Sequence, residues 1–191
     1  MNKGKLLQVF DFDETLLRMP SYVGRTQAEQ LGLPFNHPYD FYDHAISLSE
    51  SLYNIQLIKP VYDAWMVGAA KPGTISVLIT HRVESLQPEV MEILNKRGIK
   101  FDQTFFLGRK SSKAQTLAAL LKENPEVTKV KIYEDSIQQI GIYQDFFRQL
   151  NRQRDQAEML EYRYKTYIVD KSKMYRIKGV KLSEETKIEL I

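Results

Sequence analysis

Short apolar runs alternate along the chain with longer stretches in which apolar residues recur at helical spacing. The short runs predict five strands, at Leu6–Phe10, Ile75–Ile79, Thr104–Leu107, Val130–Tyr133 and Tyr164–Val169. The helical patterns lie between the later strands, at Ser85–Arg97, Ser112–Glu123 and Ile137–Leu150. Because alternating strands and helices are typical of a parallel sheet covered on both faces, the pattern predicts an α/β sandwich of three layers.

The segment 16–72 interrupts this alternation, because it is far longer than the roughly 12 residues of an ordinary crossover between parallel strands. It is rich in aromatic residues, and only its end, Pro60–Ala70, has a clear helical pattern. We expect 16–72 to form a small cap over the carboxyl ends of the strands. The whole chain, 1–191, is expected to be a single domain with a weakly patterned tail at 170–191, where Ser183 is a candidate helix start.

The amino-acid composition excludes several kinds of site chemistry, but it does not distinguish between folds. The chain has 191 residues, of which 43% are hydrophobic and 27% charged, as expected for one globular domain. It contains no cysteine, which excludes disulfides, zinc–thiolate sites and cysteine nucleophiles. No apolar run approaches the roughly 20 residues of a membrane span, and Leu6–Phe10 is too short for a signal-peptide core. We therefore expect a cytoplasmic protein without a membrane partner.

The net charge of +3 is too small to require a polyanionic partner, but basic residues are concentrated in one stretch. This basic stretch runs from Arg148 to Lys165 and contains Arg152, Arg154 and Arg163 as well. It is either a solvated helix face or a surface that contacts nucleic-acid phosphates. Nothing in the sequence indicates the oligomeric state.

Acidic and hydroxyl side chains follow the first two predicted strands. Asp11 and Asp13 come directly after the first strand, and Thr80 follows the second. Ligands of open parallel sheets bind beyond the carboxyl ends of the strands, where these side chains converge. One carboxylate can attack a substrate while the other protonates its leaving oxygen. Taken alone, each motif is also compatible with an ordinary acidic loop or a strand-to-helix turn.

A lysine and a second acidic pair complete the candidate site. Lys113 begins the helix after the third strand, where a bound phosphate would offset its unfavourable position at a helix amino terminus; Lys110 is its competitor. Glu134 and Asp135 follow the fourth strand, and two adjacent buried acids repel each other unless a divalent cation lies between them. Together the four positions indicate phosphoryl transfer.

The sequences DFDETL from Asp11, ITHR from Ile79, Lys113, and IYEDS from Ile132 resemble the four ordered motifs of the haloacid dehalogenase (HAD) superfamily of phosphatases. The resemblance covers residues 6 to about 150. It implies a Rossmann-like parallel sheet with predicted strands in the order 5-4-1-2-3. Within this superfamily the chain resembles the "Swiss army knife" RNA-repair-like branch and its phage and bacterial relatives. The cues are Pro20, the aromatic run at Pro38–Leu48 and IYED.

The resemblance also implies a mechanism. Mg²⁺ would be held by the Asp11 carboxylate, the Asp13 main-chain carbonyl and Asp135, with Glu134 beside them. Asp11 would be the nucleophile and Asp13 the general acid and base. Thr80 and Lys113 would hold the phosphoryl oxygens. His81 and Arg82 would contribute to substrate binding, although the family usually has glycine at the position of His81.

The substrate remains open between three interpretations. The first is a small phosphomonoester or nucleotide. The second is a phosphorylated RNA or DNA end, whose bases would stack on Tyr39, Phe41 or Tyr42 of the cap and whose backbone phosphates would contact the basic stretch near the site. The third is a non-catalytic Mg²⁺- or RNA-binding module built on the same fold. A two-component receiver domain uses similar residues, but there the threonine follows the fourth strand and the lysine the fifth, so the order in this chain argues against it.

Overall fold

A computed structural model of the chain describes residues 5–20, 24–34, 36, 40–109, 111–157, 159 and 161–178. The strands are β1 (Lys5–Phe10), β2 (Leu17–Arg18), β3 (Gln56–Leu57), β4 (Thr74–Thr80), β5 (Gln103–Phe106), β6 (Val127–Glu134), β7 (Arg163–Asp170) and β8 (Lys173–Ile177). The helices are α1 (Arg25–Gln30), α2 (Lys59–Ala69), α3 (Gln87–Lys96), α4 (Lys113–Glu123) and α5 (Ile137–Gln156). Short 3₁₀ turns lie at Asp40–Asp43, Ala45–Leu48 and Glu84–Leu86. The predicted Ser183 helix start lies outside the described residues.

Six strands form one sheet in the order β5-β4-β1-β6-β7-β8. All neighbours are parallel except β7 and β8, which form an antiparallel hairpin. With the cap strands β2 and β3 set aside, the five parallel strands have the predicted order 5-4-1-2-3. The α/β prediction is therefore confirmed. It differs in detail, because β8 adds a sixth strand within the segment that was predicted to be a weakly patterned tail.

Helices cover both faces of the sheet, which gives the three predicted layers. On one face Leu7, Val9 and Ile132 pack among residues of α4 and α5, such as Leu117 and Phe147. The other face packs against α2 and α3, and its buried residues include Phe10, Leu78, Val61, Trp65, Val90 and Leu94. The carboxyl ends of the central strands are buried on both faces, so polar groups just beyond them lie against a rigid apolar support.

Helix α2 approaches the sheet closely enough to exclude a side chain at Gly68. A Cβ at this position would lie 1.5 Å from Oε1 of Gln8. The Gln8 amide donates to the Ala64 carbonyl and to the Tyr133 hydroxyl, each at 3.3 Å. This buried polar cluster fixes α2, which is the last part of the predicted cap, against β1.

The rest of the cap has a small apolar core of its own. Ala28 and Phe41 are buried there and pack with Tyr42 and Tyr53. Phe41 is only 2% exposed, so the expectation that it offers a stacking surface for bases is wrong. Tyr39 lies outside the described residues. Among the helices that the structure describes, none is long and apolar enough to cross a membrane.

Candidate active site

The chain leaves the sheet sharply at the end of β1. The Asp11 amide still donates to the Tyr133 carbonyl at 3.1 Å, which continues the pairing with β6. The amides of Leu16 and Leu17 then both donate to the Phe12 carbonyl, and Glu14 has a positive φ of 52°. This tight turn directs the carboxylates of Asp11 and Asp13 into a cavity of about 570 Å³ at the carboxyl edge of the sheet.

The cavity brings together every site residue that the sequence predicted. The lining includes Asp11, Asp13, Thr80, His81, Arg82, Lys113, Glu134 and Asp135. They come from the ends of β1, β4 and β6 and from the first residue of α4. The structure therefore places the four motifs in one cleft, although the role of each residue stays a prediction.

Lys113 lies between two carboxylates in the interior of this cleft. Its Nζ donates to Asp11 Oδ1 at 2.7 Å and to Glu134 Oε2 at 2.8 Å. Burial disfavours the ammonium, but the two acids outweigh burial and raise the pKa of Lys113. Burial, and next the Glu134 charge, raise the pKa of Asp11 to about 6, against the opposing effect of Lys113. The single positive charge of Lys113 therefore cannot neutralise both carboxylates.

A third acid adds to this excess of negative charge. Oxygen atoms of Asp11, Glu134 and Asp135 all lie within 4.8 Å of one another. Burial, followed by the charges of Asp11 and Glu134, raises the pKa of Asp135 to about 9. A divalent cation would relieve this repulsion, and carboxylate oxygens are the ligands that Mg²⁺ prefers. The donor set therefore fits Mg²⁺. The Asp13 carboxylate is not part of this cluster.

The guanidinium group of Arg82 holds the Asp13 carboxylate. Its Nη2 donates to Asp13 Oδ1 at 2.6 Å, and its Nε donates to both carboxylate oxygens at 3.1–3.2 Å. Its Nη1 donates to the Tyr42 carbonyl and to Ser47 Oγ. Arg82 is only 2% exposed, and all three of its guanidinium nitrogens have protein acceptors. These contacts orient the Asp13 carboxylate and connect Arg82 to the cap.

The two residues before Arg82 face the cleft in different ways. Thr80 is buried, and its Oγ1 accepts a hydrogen bond from the Arg82 amide at 3.1 Å, which leaves its hydroxyl proton free to donate. His81 lies at the rim of the cavity. Partial burial and the nearby Lys113 charge lower its pKa, which favours the neutral imidazole. Burial raises the pKa of Asp13, while Arg82 acts in the opposite direction.

Sequence reasoning missed the contacts that join the cap to the site. Arg109 lines the cavity, and its Nη2 donates to Asp40 and Asp43 of the cap at 2.8 and 2.7 Å. The Tyr42 hydroxyl donates to the Pro20 carbonyl, and burial raises its pKa to about 12. Arg109 lies outside the motifs, and nothing in the aromatic run Pro38–Leu48 marks Ser47, so no local signal in the sequence could have identified either residue.

The basic stretch Arg148–Lys165 does not lie near the site, which corrects the expectation that it contacts phosphates there. Helix α5 begins beside the cleft and carries the chain away over 20 residues. Arg163 and Lys165 then begin β7, where they pair with the amino-terminal half of β6. The basic residues therefore lie towards the amino edge of the sheet, whereas Asp11 lies at the carboxyl edge.

A protein-family model described as "HAD domain family 1 in Swiss Army Knife RNA repair proteins" matches residues 47–181, well over half of the chain. Two solved structures are similar to this chain. The Pnkp1/Rnl/Hen1 complex has a TM-score of 0.47 and 15% identity, with 75% of this chain and 44% of that chain covered. The Pnkp1/Rnl/Hen1 RNA repair complex has a TM-score of 0.45 and 17% identity, with 78% and 41% covered. The chain thus spans less than half the length of either. No curated protein matches it.

Proposed function

The chain belongs to the HAD domain family of Swiss Army Knife RNA repair proteins, and we propose that it is a Mg²⁺-dependent phosphohydrolase with Asp11 as covalent nucleophile. The main support for this proposal comes from the groups that surround Asp11. Its carboxylate lies at a strand end, with the Lys113 ammonium at 2.7 Å and the oxygens of two other acids within 4.8 Å. This arrangement suits a nucleophile that must approach a dianionic phosphate.

In the first step an Asp11 oxygen attacks phosphorus, and the bond between phosphorus and the ester oxygen breaks. The leaving oxygen takes a proton from the Asp13 carboxyl group, which gives the free alcohol and an aspartyl-phosphate. Burial favours the proton-carrying form of Asp13, and Arg82 fixes the orientation of its carboxyl group. The Lys113 ammonium and the Thr80 hydroxyl are placed to stabilise the charge on the equatorial oxygens.

In the second step water attacks the aspartyl-phosphate. Asp13, now a carboxylate, takes a proton from this water as the bond between phosphorus and Asp11 breaks. The products are inorganic phosphate and the original enzyme. Bound Mg²⁺ would neutralise charge on the transferring phosphoryl group and would be held by Asp11, Asp135 and the Asp13 carbonyl, beside Glu134.

The first test compares Asp135→Asn with Glu134→Gln, two matched changes that each replace a carboxyl group with an amide. Both Glu134 oxygens already accept hydrogen bonds, from Lys113 Nζ at 2.8 Å and from the Ser136 amide at 3.3 Å. We therefore expect Asp135→Asn to raise the half-saturating Mg²⁺ concentration by more than about tenfold, and Glu134→Gln to raise it less.

The measurements for this test are aryl phosphate turnover and thermal stabilisation, each titrated with Mg²⁺. The second readout reports metal binding without turnover. A larger shift for Glu134→Gln would reverse the assignment of the two acids. If wild-type protein is stabilised by Mg²⁺ but hydrolyses no aryl phosphate, the chain is a non-catalytic binding module.

We propose a small phosphomonoester or nucleotide as the substrate, since the aromatic ring among the described residues that line the cleft, Tyr42, is only partly exposed and its hydroxyl is held by the Pro20 carbonyl. The second candidate is the phosphorylated end of a nucleic acid, which the family description favours. The two are separated by kcat/KM values for a mononucleotide, a sugar phosphate, and 3′- and 5′-phosphorylated oligonucleotides. We expect the mononucleotide to equal or exceed the oligonucleotides. A markedly higher value for either oligonucleotide would establish the second candidate instead.

A further inference from the structure

A second cavity lies at the opposite end of the sheet from the catalytic cleft. It encloses about 470 Å³ at the amino edge, between the loop that joins α2 to β4 and the first residues of β1, β6 and β7. Six cationic side chains line it: Lys5, Lys71, Lys129, Lys131, Arg163 and Lys165. Among the described residues that line it, none is acidic.

The fold places these cations side by side. Lys129 and Lys131 alternate on β6, so they point to the same face of the sheet. In the pairing of β6 with β7, Lys129 is opposite Arg163 and Lys131 is opposite Lys165. Adjacent like charges repel, and the pKa of Lys131 is lowered by burial and then by Lys165 and Lys71. The arrangement costs stability in the free protein.

Nearby acids do not compensate for this repulsion. Within the part of the chain that the structure describes, only Lys5 of the six has an ion-pair partner, Glu126 at 2.8 Å. Some exposed cations elsewhere do have acidic partners, as Lys59 has in Asp63 and Lys96 in Glu92. Among the described residues, five of the six cations of the cavity therefore lie side by side without an acidic partner.

We propose that this cavity is a non-catalytic binding site for the sugar–phosphate backbone of a single-stranded nucleic acid. The cations form two rows, spaced roughly 6.6 Å along each strand and 4.8 Å between strands. One phosphate cannot contact both rows along their length, whereas the repeated phosphates of a backbone can. Exposed lysines suit such contacts, which position a strand without reading its sequence. A recess of this volume admits one strand but not a duplex.

The site is separate from the catalytic cleft. Lys129 and Glu134 lie five residues apart on β6, which corresponds to roughly 17 Å at about 3.3 Å per residue. A strand can therefore occupy the cavity without placing an end at Asp11. The inference consequently does not depend on the proposed phosphohydrolase activity, and it can be tested with a nucleic acid that carries no terminal phosphate.

The test measures binding of an internally labelled, short single-stranded RNA with hydroxyl groups at both ends, by fluorescence anisotropy at several salt concentrations. The variant is K131Q/K165Q, and the matched control is K100Q/K122Q, which removes the same charge from exposed lysines outside the cavity. We expect K131Q/K165Q to weaken binding about tenfold or more. It should also reduce the slope of log affinity against log salt by about 1.4, at about 0.7 for each of two lost contacts.

The folding control is turnover of aryl phosphate and the melting temperature. Neither should fall in K131Q/K165Q, because neither lysine touches the catalytic cleft and their mutual repulsion is relieved. Equal RNA affinities for the variant, the control and the wild type would overturn the proposal. So would displacement of the RNA by polyglutamate at equal charge concentration, which would indicate a site for acidic protein segments, or by inorganic phosphate, which would indicate a small-anion site.

Discussion

Asp11→Asn should reduce the turnover of an aryl phosphate by at least about 10⁴-fold and leave the fold intact. The amide has the same size, but it cannot attack phosphorus to form an aspartyl-phosphate. Stability should not suffer, because burial and Glu134 already raise the pKa of Asp11 to about 6. A carboxylate whose pKa is raised by folding destabilises the protein at neutral pH, so its replacement by a neutral group costs little. Lys113 keeps Glu134 as a partner.

The matched control is Asp13→Asn, which also converts a carboxylate of the cleft into an amide. It should lose only the general acid and base contribution, about 10²–10⁴-fold. The loss should be smallest for leaving groups that need no proton. Steady-state rates with a series of aryl phosphates and thermal melting of both variants provide the measurements. If Asp11→Asn keeps near wild-type turnover, covalent catalysis by Asp11 is wrong.

The sequence was sufficient to locate the cleft because its chemistry follows strand ends. Asp11, Thr80 and Glu134 each come directly after or at the end of a recognisable apolar run, and parallel strands bring their carboxyl ends together. No comparable signal marked Arg82 as the partner of Asp13. That contact joins residues 69 positions apart, and it depends on how the cap seats Tyr42 and Ser47 against β4.

Strand β8 was missed because its turn lacks the usual sequence signal. Lys171 and Ser172 both have positive φ, at 45° and 68°, a conformation that hairpins more often build with Asn-Gly or Gly-Gly. The strand itself, KMYRI, has cationic residues at two of its five positions, yet Ile177 is buried against Ile140 of α5. Long-range packing, rather than local pattern, places this segment in the sheet.

The position of the basic stretch was mispredicted because the crossover from β6 to the parallel strand β7 returns the chain to the amino edge of the sheet before Arg163. The apolar pattern ends at Leu150, but the helix continues to Gln156 through polar residues with good helical propensity. The Asn151 side chain then bonds both the amide and the carbonyl of Tyr162, which fixes the return of the chain into β7. Residues adjacent in sequence to the cleft are thereby carried to the other edge of the sheet.

Lys113→Met should be the most damaging change outside the nucleophile, for activity and stability together. Methionine keeps most of the apolar stem but removes the ammonium that donates to Asp11 and Glu134 at 2.7 and 2.8 Å. A buried pair that loses one partner is typically destabilised by about 3–5 kcal/mol. Loss of one donor to the phosphoryl oxygens should lower kcat/KM by about 10²–10³-fold. Melting in the presence of a chelator and kinetics in saturating Mg²⁺ measure the two effects.

The control on the same helix is Lys122→Met, since Lys122 is exposed at the other end of α4. It should change neither kcat/KM nor stability appreciably. Added Mg²⁺ should recover more stability in Lys113→Met than in the wild type, because the unpaired acids then depend on the ion for neutralisation. Lys110, the competing lysine, lies outside the described residues, and Lys110→Met should cost far less activity. Comparable losses for the Lys110 and Lys113 variants would mean that Lys113 is not the phosphate-binding lysine.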